Sequence, residues 1–153
     1  MDIGDAVPDF ELPDQNGRSR RLSTMLADGP VVLFFYPAAM TGGCTKEACH
    51  FRNLASEFSA ANVQRVGISR DSVAKQKKFA DLNSFDYPLL SDGEGKIAAI
   101  FGVKRGRIGQ TLGAPVKRST FAIGQDGKIV AAIHSEVNME THADQALSAL
   151  KAA

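Results

Sequence analysis

Both cysteines of this 153-residue chain fall within one six-residue stretch, Cys44-Thr45-Lys46-Glu47-Ala48-Cys49. The spacing is neither the Cys-x-x-Cys of a redox turn nor that of a zinc knuckle. It falls where the pattern predicts the start of a helix. The first four N–H groups of a helix lack intrahelical acceptors, and the macrodipole places partial positive charge beside them. Cys44 therefore stands where a thiolate is stabilised. Ionisation alone is a weak catalyst: an ordinary thiol is already a few per cent ionised at neutral pH, so the gain is at most about thirtyfold. Intrinsic nucleophilicity also falls as ionisation becomes easier. A fast thiol enzyme needs donors aimed at its substrate's oxygens as well. Thr41, three residues before Cys44, can supply a hydroxyl, and Pro37 ends the preceding strand and can fix the loop carrying it.

At about 100° per residue, Ala48, Phe51, Ala55 and Phe58 fall within about 40° of Cys44 and form an apolar stripe. Cys49 lies about 140° away, among Arg52, Asn53 and Ser56, and is expected to look toward solvent. In an intact helix the two Cα atoms would be roughly 8.7 Å apart, against the roughly 4.4–6.8 Å of a disulfide. Two readings follow. Either Cys44 is a small buried hydrophobe and Cys49 an inert surface thiol, or the thiols react and the first helical turns must unwind. Gly42 and Gly43 leave the helix entry free in φ/ψ, as a plain turn would also require.

The elements that must position these residues alternate. Val31–Tyr36, "VVLFFY", is a continuous apolar run ended by Pro37, the pattern of a strand buried on both faces. A helix is predicted from about Cys44 to Ala60, a second strand over Val63–Ser69, and a helix over Val73–Asn83 with Asp71 or Ser72 as N-cap. Tyr87–Leu90 reads as a short extended piece and Gly95–Phe101 as one or two helical turns. Ser119–Ile123 and Lys128–His134 flank the hairpin loop Gly124-Gln125-Asp126-Gly127. A final helix over about Met139–Ala152 carries Ala143, Leu147 and Leu150 at helical spacing. This order predicts a thioredoxin-like α/β fold, a mixed central sheet flanked by helices, in one domain over residues 1–153.

Composition narrows the class. With 44% apolar and 23% charged residues and a net charge of +1, no field favours nucleic acid or an anionic membrane. The opening MDIGDAVPDFELPDQNG lacks the basic and apolar regions of a signal peptide, and no apolar run could span a bilayer. A cytoplasmic location is expected. There, a lone cysteine pair is more often catalytic, metal-binding or inert than a structural cross-link.

The segment Pro37–Cys44, "PAAMTGGC", matches the Pro-x-x-x-Thr-x-x-Cys signature of peroxiredoxins. With "CTKEACHFR", the chain resembles their Q-type, or bacterioferritin comigratory, subfamily. "GDAVPDFELPDQNG", "GISRDS", "YPLLSD" and "RSTFAIGQDG" follow in the family's order. The resemblance implies a peroxidase acting on hydrogen peroxide and organic hydroperoxides. It implies that Cys44 is the peroxidatic cysteine, Cys49 the resolving cysteine of an internal disulfide, and Thr41 a donor to thiolate and peroxide. Arg118, in "KRSTF", would be the arginine that approaches the thiolate with several fixed donors, and Pro37 would shield the site. No metal, haem or flavin is implied; the reductant would be thioredoxin-like. Gly42 stands where many members have proline, and the loop 104–117 carries unusual basic residues. Without a cysteine in the C-terminal tail, a monomer or weak dimer is expected. A thiol–disulfide oxidoreductase or a redox sensor on the same fold are the alternative readings.

Among other residues, Glu47 is read mainly as a first-turn partner of the helix dipole, with proton transfer as a second role. Arg52 and the lysines 75, 77 and 78 read as solvated helix positions, and Phe35 and Tyr36 as core or pocket wall. His50, His134 and His142 show no zinc-type ligand spacing.

Overall fold

A computed structural model describes residues 1–103, 116–135 and 141–152. The chain opens with a short antiparallel hairpin, β1 (Glu11–Pro13) and β2 (Ser19–Arg21), then α1 (Leu22–Asp28). Strand β3 (Val31–Phe35) leads to α2 (Gly42–Asn53) and α3 (Ala55–Ala60). There follow β4 (Gln64–Ser69), α4 (Val73–Asn83), β5 (Leu89–Ser91), α5 (Lys96–Ile100), β6 (Ser119–Ile123), β7 (Ile129–His134) and α6 (Thr141–Ala152).

The main sheet runs β5-β4-β3-β6-β7. β3 pairs in parallel with β4 and antiparallel with β6, so it lies at the centre, as its unbroken apolar run requires. All five of its residues are buried. Alternation along β3 splits the core in two. Val31, Leu33 and Phe35 join α1, α5 and the N-terminal segment on one face. Val32 and Phe34 join α2, α3, α4 and α6 on the other. Phe34 stacks on Phe51 of α2 with centroids 4.1 Å apart and planes 7° from parallel. This contact seats α2 on the sheet. Gly67 of β4 is needed beside it, because an added Cβ would meet Leu89 Cδ2 at 2.8 Å and Phe34 Cζ at 2.9 Å.

The mixed sheet with helices on both faces is the predicted one. The expected helix over 44–60 differs. It starts two residues earlier and breaks at Leu54, whose φ/ψ of −94°/19° leave the helical region, so α3 departs as a separate turn. Ser72, not Asp71, caps α4, its hydroxyl accepting from the N–H of Lys75 at 3.2 Å. The hairpin β1–β2 and helix α1 were not read from the sequence. Three-residue strands carry too little alternation to register, and α1 has no side-chain cap to announce it. The loop 104–117 with its unusual basic residues lies, up to residue 115, outside the described residues.

Candidate active site

The loop between β3 and α2 carries Pro37 and Thr41. Pro37 is half-buried just beyond the sheet, and Met40 takes a left-handed φ of 67°, an uncommon conformation for a residue with a side chain. Asp71, after β4, ties this loop down. One of its carboxylate oxygens accepts from the Ala39 N–H at 2.7 Å and from the Ser69 hydroxyl at 2.6 Å. Asp71, one of the two residues expected to cap α4, is instead the anchor of the loop.

α2 then begins at Gly42, and its first backbone bond runs from the Thr45 N–H to the Thr41 carbonyl at 2.9 Å. The N–H groups of residues 42–44 precede that bond and lack helical acceptors. Cys44 is 1% exposed. Arg118, just ahead of β6 and itself buried, donates from Nη2 to the Cys44 Sγ at 3.2 Å and from Nη1 to Glu47 Oε1 at 3.1 Å. The predicted convergence of Cys44 and Arg118 is met. Thr41 stands at the N-cap position, but its hydroxyl donates to the Ala38 carbonyl at 3.0 Å, so in this arrangement its one proton is committed away from the sulfur.

Glu47 departs most from its sequence reading. With α2 beginning at Gly42 it lies beyond the first turn that was expected to hold it, it is 1% exposed, and burial pushes its carboxyl up to about 7 against the pull of Arg118. Its second oxygen, Oε2, lies 3.3 Å from Nδ1 of His142 on α6 and completes no hydrogen bond. His142 is fully buried, with Nδ1 at 2.7 Å from the Thr120 hydroxyl and Nε2 at 2.9 Å from the Ser135 carbonyl. A carbonyl only accepts, so Nε2 carries the ring proton. Burial also holds the ring below its ordinary value and hence neutral. One signal for Glu47 was available: at i+3 from Cys44 it lies about 60° from the sulfur, beside the apolar stripe. Nothing local marked His142.

Cys49 is half-buried, not solvent-facing, because the C-terminal end of α4 packs over it. Its Sγ lies 3.7 Å from Asn83 Oδ1. Arg52, expected in solvent, donates to the Asn83 carbonyl at 2.8 Å. Two further donors reach α2's carbonyls from outside: the Tyr87 hydroxyl to Ala48 at 2.7 Å and Arg65 Nη1 to Phe51 at 3.0 Å. Both thiols are free. The histidines are dispersed: His50 pairs with Asp144, His134 with Ser119, and His142 with Thr120. Among the described residues no cluster of three or more His, Cys, Asp or Glu side chains could hold a metal. No helix among them is long and apolar enough to cross a membrane.

A buried cysteine at a helix start, met by a buried arginine from the approach to β6, forms a thiol site on a thioredoxin-like fold. Residues 3–132 match the AhpC/TSA family model, and the chain belongs to that family, the peroxiredoxins. Within it the similarity is to the Q-type, or bacterioferritin comigratory, proteins. The chain is 40% identical over 150 residues to chloroplastic peroxiredoxin Q of Arabidopsis thaliana, covering 98% of this chain and 67% of that one. It superposes on peroxidoxin BcpB of Mycobacterium tuberculosis with a TM-score of 0.94 at 62% identity, covering 99% and 97% of the two chains. On the Xanthomonas campestris bacterioferritin comigratory protein the TM-score is 0.84 at 33% identity, with 97% and 98% covered.

Proposed function

We propose that Cys44 is the peroxidatic residue, attacking the O–O bond of a hydroperoxide, and that Cys49 resolves the resulting sulfenic acid as an internal disulfide. The observation that carries this reading is the Arg118 Nη2–Cys44 Sγ bond of 3.2 Å at the start of α2. A guanidinium and free helical N–H groups around one sulfur stabilise the thiolate before attack and the charge on the departing oxygen during it. Thr41 turns its hydroxyl from Ala38 toward the peroxide as substrate enters, and Pro37 keeps water from the sulfur.

Sulfenic acid at Cys44 is then met by the thiol of Cys49, with loss of water. Both residues lie on α2, so the segment between them unwinds first. The disulfide is returned to two thiols by a thioredoxin-like dithiol, and a cytoplasmic setting that keeps such dithiols reduced suits the cycle. The Xanthomonas relative is described as reducing alkyl peroxides. Organic hydroperoxides are accordingly the substrates we infer here beside hydrogen peroxide, acted on by a monomer or weak dimer.

Stopped-flow mixing of the reduced protein with hydrogen peroxide and with cumene hydroperoxide tests the proposal. Oxidation of Cys44 far faster than that of free cysteine is expected. Intact mass after one equivalent should show loss of two hydrogens. A rate equal to free cysteine, or added oxygen with both sulfurs unlinked, would overturn it.

A further inference from the structure

Behind Cys44 the structure holds a closed set of ionisable groups. Cys44 and Glu47 come from α2, Arg118 from the approach to β6, and His142 from α6; His134 on β7, Tyr36 after β3 and Tyr87 before β5 face the set from farther out. Arg118 contributes one positive charge to a region in which Cys44, Glu47 and His142 are all at most 1% exposed. An uncompensated charge is strongly disfavoured there, so one negative charge, not two, is favoured opposite the guanidinium. If Glu47 is ionised, Cys44 is favoured as a thiol; if Cys44 is a thiolate, Glu47 is favoured with a proton. Oε2 is where that proton would sit. It is one of two buried side-chain polar atoms without a partner among the described residues, and it lies 3.3 Å from Nδ1 of a ring whose proton is on the other nitrogen.

We propose that Glu47 and His142 share one proton behind Cys44, gaining it as the sulfur ionises and giving it up when the O–O bond breaks, with His142 as a positioning residue for Glu47. The balance closes in two steps. The thiol and the Glu47 carboxylate become thiolate and carboxylic acid. The thiolate pair then forms the S–O bond while the O–O bond breaks. Sulfur is oxidised, the departing oxygen is reduced, and the proton from the Glu47–His142 pair ends on the product alcohol or water. Net charge around Arg118 stays constant throughout. The raised position of the Glu47 carboxyl, about 7, agrees with a proton exchanged near neutral pH. His142 Nδ1 supplies the acceptor for protonated Glu47 once the Thr120 hydroxyl, which donates to Nδ1 at 2.7 Å in this arrangement, turns away, and that exchange makes the protonated form a satisfied buried group.

This inference rests on the peroxidatic role of Cys44, but its test uses no peroxide, so either can fail alone. In a Cys49→Ser background, the far-ultraviolet thiolate absorbance of Cys44 is followed against pH. Glu47→Gln, neutral at every pH, should move half-ionisation down by about one pH unit or more. His142→Leu should move it up by a similar amount, and His142→Asn, which keeps an acceptor, should restore it. In the Glu47→Gln background His142→Leu should have no further effect. An equal His142→Leu shift in both backgrounds, or none in either, would overturn the proposal. Because His142 is buried, nitrogen NMR of its ring in the otherwise unchanged Cys49→Ser protein gives a second reading. The Nδ1 shift should move through the Cys44 titration, and an unmoved Nδ1 would equally overturn it.

Discussion

Arg118 reaches back 74 residues to place Nη2 at 3.2 Å from the sulfur of Cys44. The same guanidinium holds Glu47, so one planar fork fixes both the Cys44 sulfur and the carboxyl behind it. Lysine, a single point charge on a flexible stem, cannot make both contacts in that geometry. Arg118→Lys and Arg118→Met should slow the first oxidation of Cys44 by about 10²–10³-fold, the usual loss for a donor aimed at developing charge. Stopped-flow oxidation in the Cys49→Ser background measures this. A rate within a few fold of the parent would remove Arg118 from the chemistry.

Cys49→Ser separates the two halves of the cycle. Peroxide should still oxidise Cys44 at the parental rate, while thioredoxin-driven turnover stops and excess peroxide carries Cys44 on to sulfinic acid. Normal turnover with thioredoxin would show that Cys49 is not the resolving residue. In the parent protein, amides around residues 44–50 should lose exchange protection on oxidation, since the disulfide cannot form across an intact α2.

Tyr87 holds the turn of α2 between the thiols. Its buried hydroxyl, kept protonated by burial, donates to the Ala48 carbonyl at 2.7 Å. Tyr87→Phe removes about 1 kcal/mol of that hold, or about fivefold in an opening equilibrium. Disulfide formation after oxidation, read by rapid acid quench and mass, should speed up by up to about that factor, and sulfinic acid should fall. A slower disulfide would mean that Tyr87 guides the opening instead of restraining it.

The Glu47 carboxyl gives a pH dependence of stability. In the fold it rises from its ordinary 4.5 to about 7, so its contribution is fully present below about pH 4.5 and lost as pH rises through about 7. The loss amounts to about 3 kcal/mol at most. Glu47→Gln has no such loss, so its melting temperature should rise relative to the parent between about pH 5 and pH 8. His142, held below its ordinary value, acts in the opposite sense, its contribution lost as pH falls. Thermal melts of the two proteins across this range check it; a constant difference would show that Glu47 does not titrate there.

Much of this protein is written locally. The apolar run at 31–36, the helix start at Cys44, the Asp-Gly hairpin and the Pro-to-Cys signature are each read within a few residues, because alternation, helical spacing and turn chemistry are short-range. They set the alternation of strands and helices and place Cys44 at a helix start. Arg118 was legible only through the family signature, since nothing around it distinguishes it from a surface arginine. Glu47 was misjudged and His142 passed over, because burial depends on which surfaces meet. α6 brings His142 against a residue of α2 that lies 95 positions earlier, and the end of α4 covers Cys49 through Asn83, 34 positions on. Those distances are closed by packing three helices on one face of the sheet. The sequence by itself determined that the Cys44 sulfur stands at a helix start, within a signature that names the family. Only the tertiary structure decided which charges lie beside that sulfur, for a carboxyl's state follows from the water it loses and the partners folding brings to it.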